Sequence, residues 1–149
     1  MIKKLLTALL LVTASQAHAQ NDTTGIKNAI GTFFEGMHTW DTTKISSSLD
    51  SSIFFYSIMN TKAGTRVESE TKEGFFGQVV SLNGKKYEER LLSYDIKIDG
   101  SMAIAWTPYQ FYFEGKFSHC GVNVFTLVKR GDSWKILGIT DTRRRQGCN

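Results

Sequence analysis

The sequence predicts an α+β fold in which about three N-terminal helices cover one face of a curved antiparallel sheet. Three observations predict it. Apolar residues recur at helical spacing in the N-terminal half. From Tyr87 the period changes to two, the spacing of strands. The strand-like runs are separated by the short turn signals Asp99-Gly100, Glu114-Gly115 and Arg130-Gly131-Asp132. Helices first and a meander after is the order of an α+β domain.

Residues 1–19 stand apart from this pattern. Lys3-Lys4, the apolar run from Leu5 to Val12, and Ala17-His18-Ala19 form a basic, apolar and small-x-small series. That is the pattern of a cleaved export signal. The apolar run is too short to span a bilayer, and no cysteine follows the site to carry a lipid. The expectation is cleavage after Ala19, a chain starting at Gln20, a periplasmic or secreted location, and no stable membrane anchor. Residues 20–149 then form one domain, long enough for an adequate core. Removal of Lys3 and Lys4 lowers the formal charge from +4 to +2, so the basic balance is a weak argument for nucleic acid. Arg143-Arg144-Arg145 reads as a solvated terminal run, or as an anion or membrane-surface contact.

Each element follows in order. Ile26, Ile30, Phe33, Phe34 and Met37 make one stripe of a helix over 25–39, with cap candidates among Asn21, Asp22, Thr23 and Thr24. Asp41 caps a second helix over 42–49, with Ile45 and Leu49 inward. Residues 53–58 are a short strand, and polar residues 60–68 around Gly64 are a loop or hairpin. Ser69 caps a third helix that turns Phe75, Phe76, Val79 and Val80 inward. Alternation through Arg90, Leu92, Tyr94, Ile96 and Ile98 gives a strand, and three more run over 102–113, 117–129 and 134–143. Pro108, the one proline, conflicts with its strand, and a bulge or bend there would resolve the conflict and help cup the sheet.

Two cysteines, Cys120 and Cys148, in an exported chain suggest a disulfide, the alternative being a buried free Cys120 and a loose Cys148. No zinc spacing completes a metal site, and no cofactor is expected. Phosphate loops, nucleophile elbows and paired catalytic carboxylates are absent as motifs.

Alternation also sorts candidate pocket residues. Trp106, Gln110 and Tyr112 share one side of their strand, and Phe117, His119, Gly121, Asn123, Phe125 and Leu127 share one side of the next. Large aromatics with sparse polar groups suit a small-molecule pocket. The opposite side, with Val122, Val124, Thr126 and Val128, suits sheet packing or a dimer contact. His119 is a candidate general base or a satisfied core histidine. A simple hairpin pairs position 119 with about 143, which brings Asp141 near His119, where it would raise the imidazole pKa. Asp141 could instead pair with Arg143. His38 suits the end of its helix through the helix dipole. Arg90 suits a surface salt bridge with Glu88, Glu89 or Glu68 better than an anion site. Trp134 and Ile136 read as core. Aromatics are not interleaved with Lys and Arg, so nucleic-acid stacking is not expected.

The chain resembles the nuclear-transport-factor-2-like superfamily, with its SnoaL-like cyclases and ketosteroid isomerase, and most of all an exported branch described as lumazine-binding. The residues that carry the resemblance are Ile26 to Asp41 with Phe33-Phe34 and Met37, Asp99-Gly100-Ser101-Met102-Ala103, Phe117 to Asn123, and Trp134-Lys135-Ile136 running to Asp141-Thr142-Arg143. The resemblance implies a cone-shaped sheet wrapped by three helices, a pocket between them, and a homodimer through the outer sheet face. Dehydratase and isomerase members use a carboxylate or a His–Asp pair in the cone, a part that His119 with Asp141 would play here. The Tyr and Asp pattern of the isomerase is not matched. Three readings result: a domain that binds a small apolar or heterocyclic ligand with Trp106, Gln110, Tyr112, His119, Asn123 and Phe125; a lyase, isomerase or cyclase using His119 and Asp141; and a homodimeric interaction module with a filled cone.

Overall fold

The computed structural model describes residues 22–148. The expected export signal over residues 1–19 lies outside the described residues. Helix α1 covers residues 22–38, α2 Thr42–Ser48 and α3 Lys72–Ser81. The strands are β1 (Leu49–Thr61), β2 (Gly64–Glu70), β3 (Tyr87–Leu91), β4 (Asp95–Asp99), β5 (Met102–Phe113), β6 (Lys116–Arg130) and β7 (Ser133–Arg143). They form one sheet in the order β2-β1-β7-β6-β5-β3, with β4 also paired to β5.

The apolar stripe of α1 does what its spacing dictates. Ile26 and Ile30 are fully buried, and Phe33 and Phe34 meet the Phe125 ring edge-on at 6.2 and 6.0 Å. Each fully buried side chain of this size contributes about 1.5–3 kcal/mol. The helix ends in a Schellman turn: Trp40 donates to the Met37 carbonyl, Asp41 donates to Gly36, and Trp40 takes φ 55°. Asp41 then caps α2 by accepting from Lys44 N at 2.9 Å.

The sheet differs from the expected meander in four ways. First, β1 is far longer than residues 53–58 and forms a full hairpin with β2. Ser69 belongs to β2, and Thr71 caps α3 by accepting from Gly74 N at 3.0 Å. Val80 faces outward, 54% exposed. Second, β1 runs parallel to β7, so the sheet is mixed. Third, the run from Tyr87 is two strands. Arg90 pairs with Gln110 on β3, Asp95 pairs with Trp106 on β4, and residues 92–94 lie between them.

Fourth, no bulge forms at Pro108, which sits in regular register opposite Val122. In an antiparallel strand, the N–H and C=O of one residue point to the same neighbour. Leu92 N donates to the Pro108 carbonyl at 2.8 Å, so the missing proline donor faces the gap between β3 and β4. The sheet accommodates Pro108 by interrupting its neighbour. The register shift lies further on, between Phe111 and Tyr112, where β6 carries the extra residue Ser118.

The turns match their glycines. Glu114 and Gly115 both take positive φ, 51° and 74°. At the β4–β5 hairpin only Gly100 does, at 58°, and Gly100-Ser101, not Asp99-Gly100, is the two-residue turn.

Candidate functional site

Between the sheet and helices α1 and α3 lies a cavity of about 660 Å³, within the usual size of small-molecule sites. The cone is therefore not filled. Phe33, Phe34, Phe55, Phe75 and Phe125 line its apolar side. Three of these rings form a ladder: Phe33 stacks on Phe75 at 5.7 Å, and Phe75 on Phe55 at 4.7 Å.

The opposite wall is polar and comes from β1, β3, β6 and β7. Alternation on β3 turns Tyr87, Glu89 and Leu91 inward, leaving Arg90 exposed. Asn123 on β6 donates from Nδ2 to Glu89 Oε1 at 2.6 Å. Burial pushes the Glu89 carboxyl up to about 7; the Asn123 bond opposes that rise and nearby Asp141 adds to it. Asp141 stands directly opposite Asn123 on β7. It accepts from Ser57 Oγ on β1 and from Arg143 Nε at 2.9 Å, and Arg143 Nη2 reaches Ser57 Oγ at 3.1 Å. This wall thus sets Asp141 and Glu89 in unlike settings: Asp141 beside a guanidinium, Glu89 beside a neutral amide.

Tyr109 completes this wall. Its hydroxyl donates to the Thr142 carbonyl at 3.0 Å, across Gly121. A Cβ at Gly121 would collide with that carbonyl and with the Tyr109 ring, so glycine is what lets the two approach. Burial, with Glu89 and Asp141 nearby, holds the phenol far above its ordinary pKa. At the base of α1 the Tyr87 hydroxyl donates to the Met37 carbonyl, and burial raises it to about 12.

The expected site residues divide between the two faces. His119, Asn123, Phe125 and Asp141 line the cavity; Trp106, Gln110 and Tyr112 do not. The inward side of β5 holds Ala103, Ala105, Thr107 and Tyr109, while Trp106 is 51% exposed. Ala103 pairs with Leu127 and Ala105 with Phe125, so small residues sit beside large ones and the big indole is left outside. The Arg90 guanidinium lies over the Tyr112 ring, 4.2 Å from its centroid, and the Tyr112 hydroxyl donates to Gln110 Oε1 at 3.0 Å.

His119 is held differently from the expected His–Asp pair. An extra residue, Leu137, shifts the β6–β7 register, so Asp141 faces Asn123 while Cys120 bridges to Arg144. The His119 ring stacks on Phe111 at 4.8 Å and meets Tyr109 edge-on at 5.9 Å, with Nδ1 3.1 Å from Ser118 Oγ. Burial, joined by Arg143, lowers its pKa although Asp141 opposes the shift. His38 is likewise neutral in character: its Nε2 accepts from Glu89 N at 3.2 Å, and burial lowers its pKa despite Glu88. That bond serves the Glu89 backbone rather than the helix dipole.

The basic run does not act as one unit. Arg143 lies at the cavity with Asp141, and Arg144 exchanges two backbone hydrogen bonds of 2.9 Å with Cys120. Cys120 and Cys148 are bonded, which ties the tail to β6. Arg90 pairs with Glu88 at 2.8 Å. Among the described residues no group of three or more His, Cys, Asp or Glu is placed to hold a metal, and no helix is long and apolar enough to cross a membrane.

The cavity also takes Glu89, Tyr109 and Phe111, which the strand alternation had not singled out, whereas the Asp141–Arg143 pair is the alternative that the sequence offered. The signal for Glu89 was present: it alternates in phase with Tyr87 and Leu91. Its place in the charged run Glu88-Glu89-Arg90 disguised it as surface.

No family's sequence profile and no curated protein matches the chain. Solved structures do. A nuclear-transport-factor-2-like protein with a cystatin-like fold from Novosphingobium aromaticivorans aligns with TM-score 0.71 at 12% identity, over 90% of this chain and 88% of that one. A candidate dehydratase of the same fold family from Streptomyces avermitilis aligns with TM-score 0.63 at 14% identity, over 85% and 98%. The β subunit of a candidate aromatic-ring-hydroxylating dioxygenase, also from Novosphingobium aromaticivorans, aligns with TM-score 0.68 at 12% identity, over 84% and 90%. With its helices, curved mixed sheet and the cavity between them, this chain has the nuclear-transport-factor-2-like, cystatin-like fold.

Proposed function

We propose that this is an exported small-molecule-binding domain whose ligand sits in the cone, its ring system on the phenylalanine ladder and its polar edge on Glu89 and Asn123. The observation that carries this reading is the meeting of an aromatic side and a polar side in one cavity of about 660 Å³. Fold alone does not settle it, because this architecture hosts many functions. The export signal in residues 1–19 supports a periplasmic or secreted location with the chain starting at Gln20. Native mass spectrometry of protein purified from its own compartment tests both parts. The expected result is a mass starting at Gln20 with a small molecule retained. A full-length mass, or a bare protein whose melting temperature no aromatic compound raises, contradicts the corresponding part.

A second reading, acid–base catalysis of the lyase or isomerase type, is favoured by Glu89. A carboxyl raised to about 7 beside a second, ion-paired carboxylate is the arrangement that separates acid and base roles. The geometry supports Glu89 as the proton carrier over the expected His119, whose ring is held between Phe111 and Tyr109. Asp141 with Arg143 and Ser57 would fix the substrate's polar edge.

The proposed homodimer uses the outer sheet face. Met102, Ile104 and Trp106 form an exposed apolar stripe on β5, beside Val122 and Val124 on β6. A dimer mass in solution that Trp106→Asp converts to monomer supports this; a monomer at high protein concentration contradicts it.

A further inference from the structure

The charges around the cavity are unequal, and the inequality says what kind of ligand fits. Two arginines line it, and each is already committed to a carboxylate: Arg143 to Asp141 at 2.9 Å, and Arg66 to Glu68 at 2.6 Å. Two further carboxylates have only neutral donors. Glu70 accepts from the Gln78 amide and from Thr71 N, and Glu89 accepts from Asn123 Nδ2. No lysine lines the cavity, and burial keeps His119 toward its neutral form. The surplus is therefore acidic, one carboxyl deep and one at the rim.

A ligand anion entering here would meet two carboxylates and find no uncommitted cation. A ligand cation would meet the reverse. Asn123 occupies one lone pair of Glu89, and a carboxylate has about four such sites, so acceptors remain for a bidentate N–H pair. Phe33, Phe75 and Phe55, stacked on one another, give the same space an apolar wall against which a flat ring can pack. Resting on the ligand-binding reading above, we propose that the cavity selects a flat aromatic cation, an amidinium or protonated ring amine, with its N–H groups on the Glu89 carboxylate and its ring against the phenylalanine ladder.

The cation needs Glu89 ionised. Where the carboxyl is still protonated, its proton leaves to solvent as the ligand arrives, so binding releases up to one proton on the acid side of Glu89's midpoint. Above it, binding releases none.

Three isosteric probes separate the possibilities: 2-naphthamidine as cation, 2-naphthamide as neutral amide and 2-naphthoate as anion. Calorimetric titration of the protein should give amidine binding at least tenfold tighter than amide at pH 8, with no naphthoate binding. From pH 8 to pH 6 the amidine affinity should fall about tenfold, following the ionised fraction of a group near pH 7. At pH 6 the heat should depend on the ionisation enthalpy of the buffer. Glu89→Gln should bring amidine to the level of amide and flatten the pH profile, with retained amide binding showing that the fold is intact. Amide binding as tight as amidine, naphthoate binding tightest, or an unchanged preference in Glu89→Gln would overturn the cation inference and leave the ligand-binding reading standing. Failure of all three probes to bind would overturn that reading as well.

Discussion

The β6–β7 hairpin has two halves built on opposite plans. Near its turn the inner face is Phe125 and Leu127 facing Ile136 and Trp134, all at or below 5% exposure and packed under α1. Toward the open end the same face carries Asn123 and His119, with Gly121 between them under Tyr109, and across from them Asp141 and Arg143, around the cavity. One half closes the core and the other opens it. The change falls between Phe125 and Asn123, one step of the strand alternation. The lesson is that no separate element builds the site. The core strands continue, and the apolar residues stop.

If that comparison holds, damage to the two halves should differ in kind. The largest effect belongs to the closed half: Phe125→Ala removes a fully buried ring between Phe33 and Phe34 and should cost about 4 kcal/mol in urea unfolding. Next comes the staple of the open half. Cys120→Ser with Cys148→Ser opens a link across a sequence separation of 28 and should cost about 3 kcal/mol, and reductant should give the wild type the same loss.

Glu89→Gln should act in the other direction. Its carboxyl is raised from the ordinary 4.5 to about 7, so the folded state binds more protons than the unfolded chain between those values. Wild-type stability from this group is then present below pH 4.5 and lost as pH rises to 7. The glutamine variant should gain up to about 3 kcal/mol over wild type at pH 8 and nothing at pH 4. Equal pH profiles for the two proteins would show that Glu89 is an ordinary surface carboxylate. The smallest effect on the cavity belongs to the outer face: Trp106→Ala should leave ligand binding unchanged, whereas Phe111→Ala, beside His119, should weaken it.

The same contrast explains what was legible in the sequence. Helical stripes and strict alternation mark elements with one buried face, so α1, β5, β6 and β7 could be read almost to their ends. The β2 strand was legible only as the hairpin alternative over residues 60–68, because it is an edge strand exposed along most of both faces and residues 64–70 carry no period. The β1–β7 pairing is parallel and long-range, and no local pattern announces it. Pro108 was read correctly as a conflict, but the interruption fell on its neighbours β3 and β4 rather than on its own strand.

Within the site, residue type misled where phase informed. Trp106 and Tyr112 looked like pocket residues because they are large and aromatic. The inner positions of β5 hold alanines because Leu127 and Phe125 beside them fill the space. Glu89 was discounted because it is charged and sits among charges, although its phase with Tyr87 placed it inside. Asp141 was expected near His119 from a pairing of 119 with about 143, and the two-residue turn together with the extra residue Leu137 sets it opposite Asn123 instead.

The central claim is that Glu89 is a carboxyl held near neutrality inside an aromatic cone. The most direct measurement is a carbon-13 NMR titration of the glutamate side-chain carboxyls, with Glu89→Gln identifying the resonance. The account predicts a Glu89 midpoint near 7, well apart from the other glutamates. A midpoint near 4.5 would contradict it, and with it the acid–base reading of the cavity.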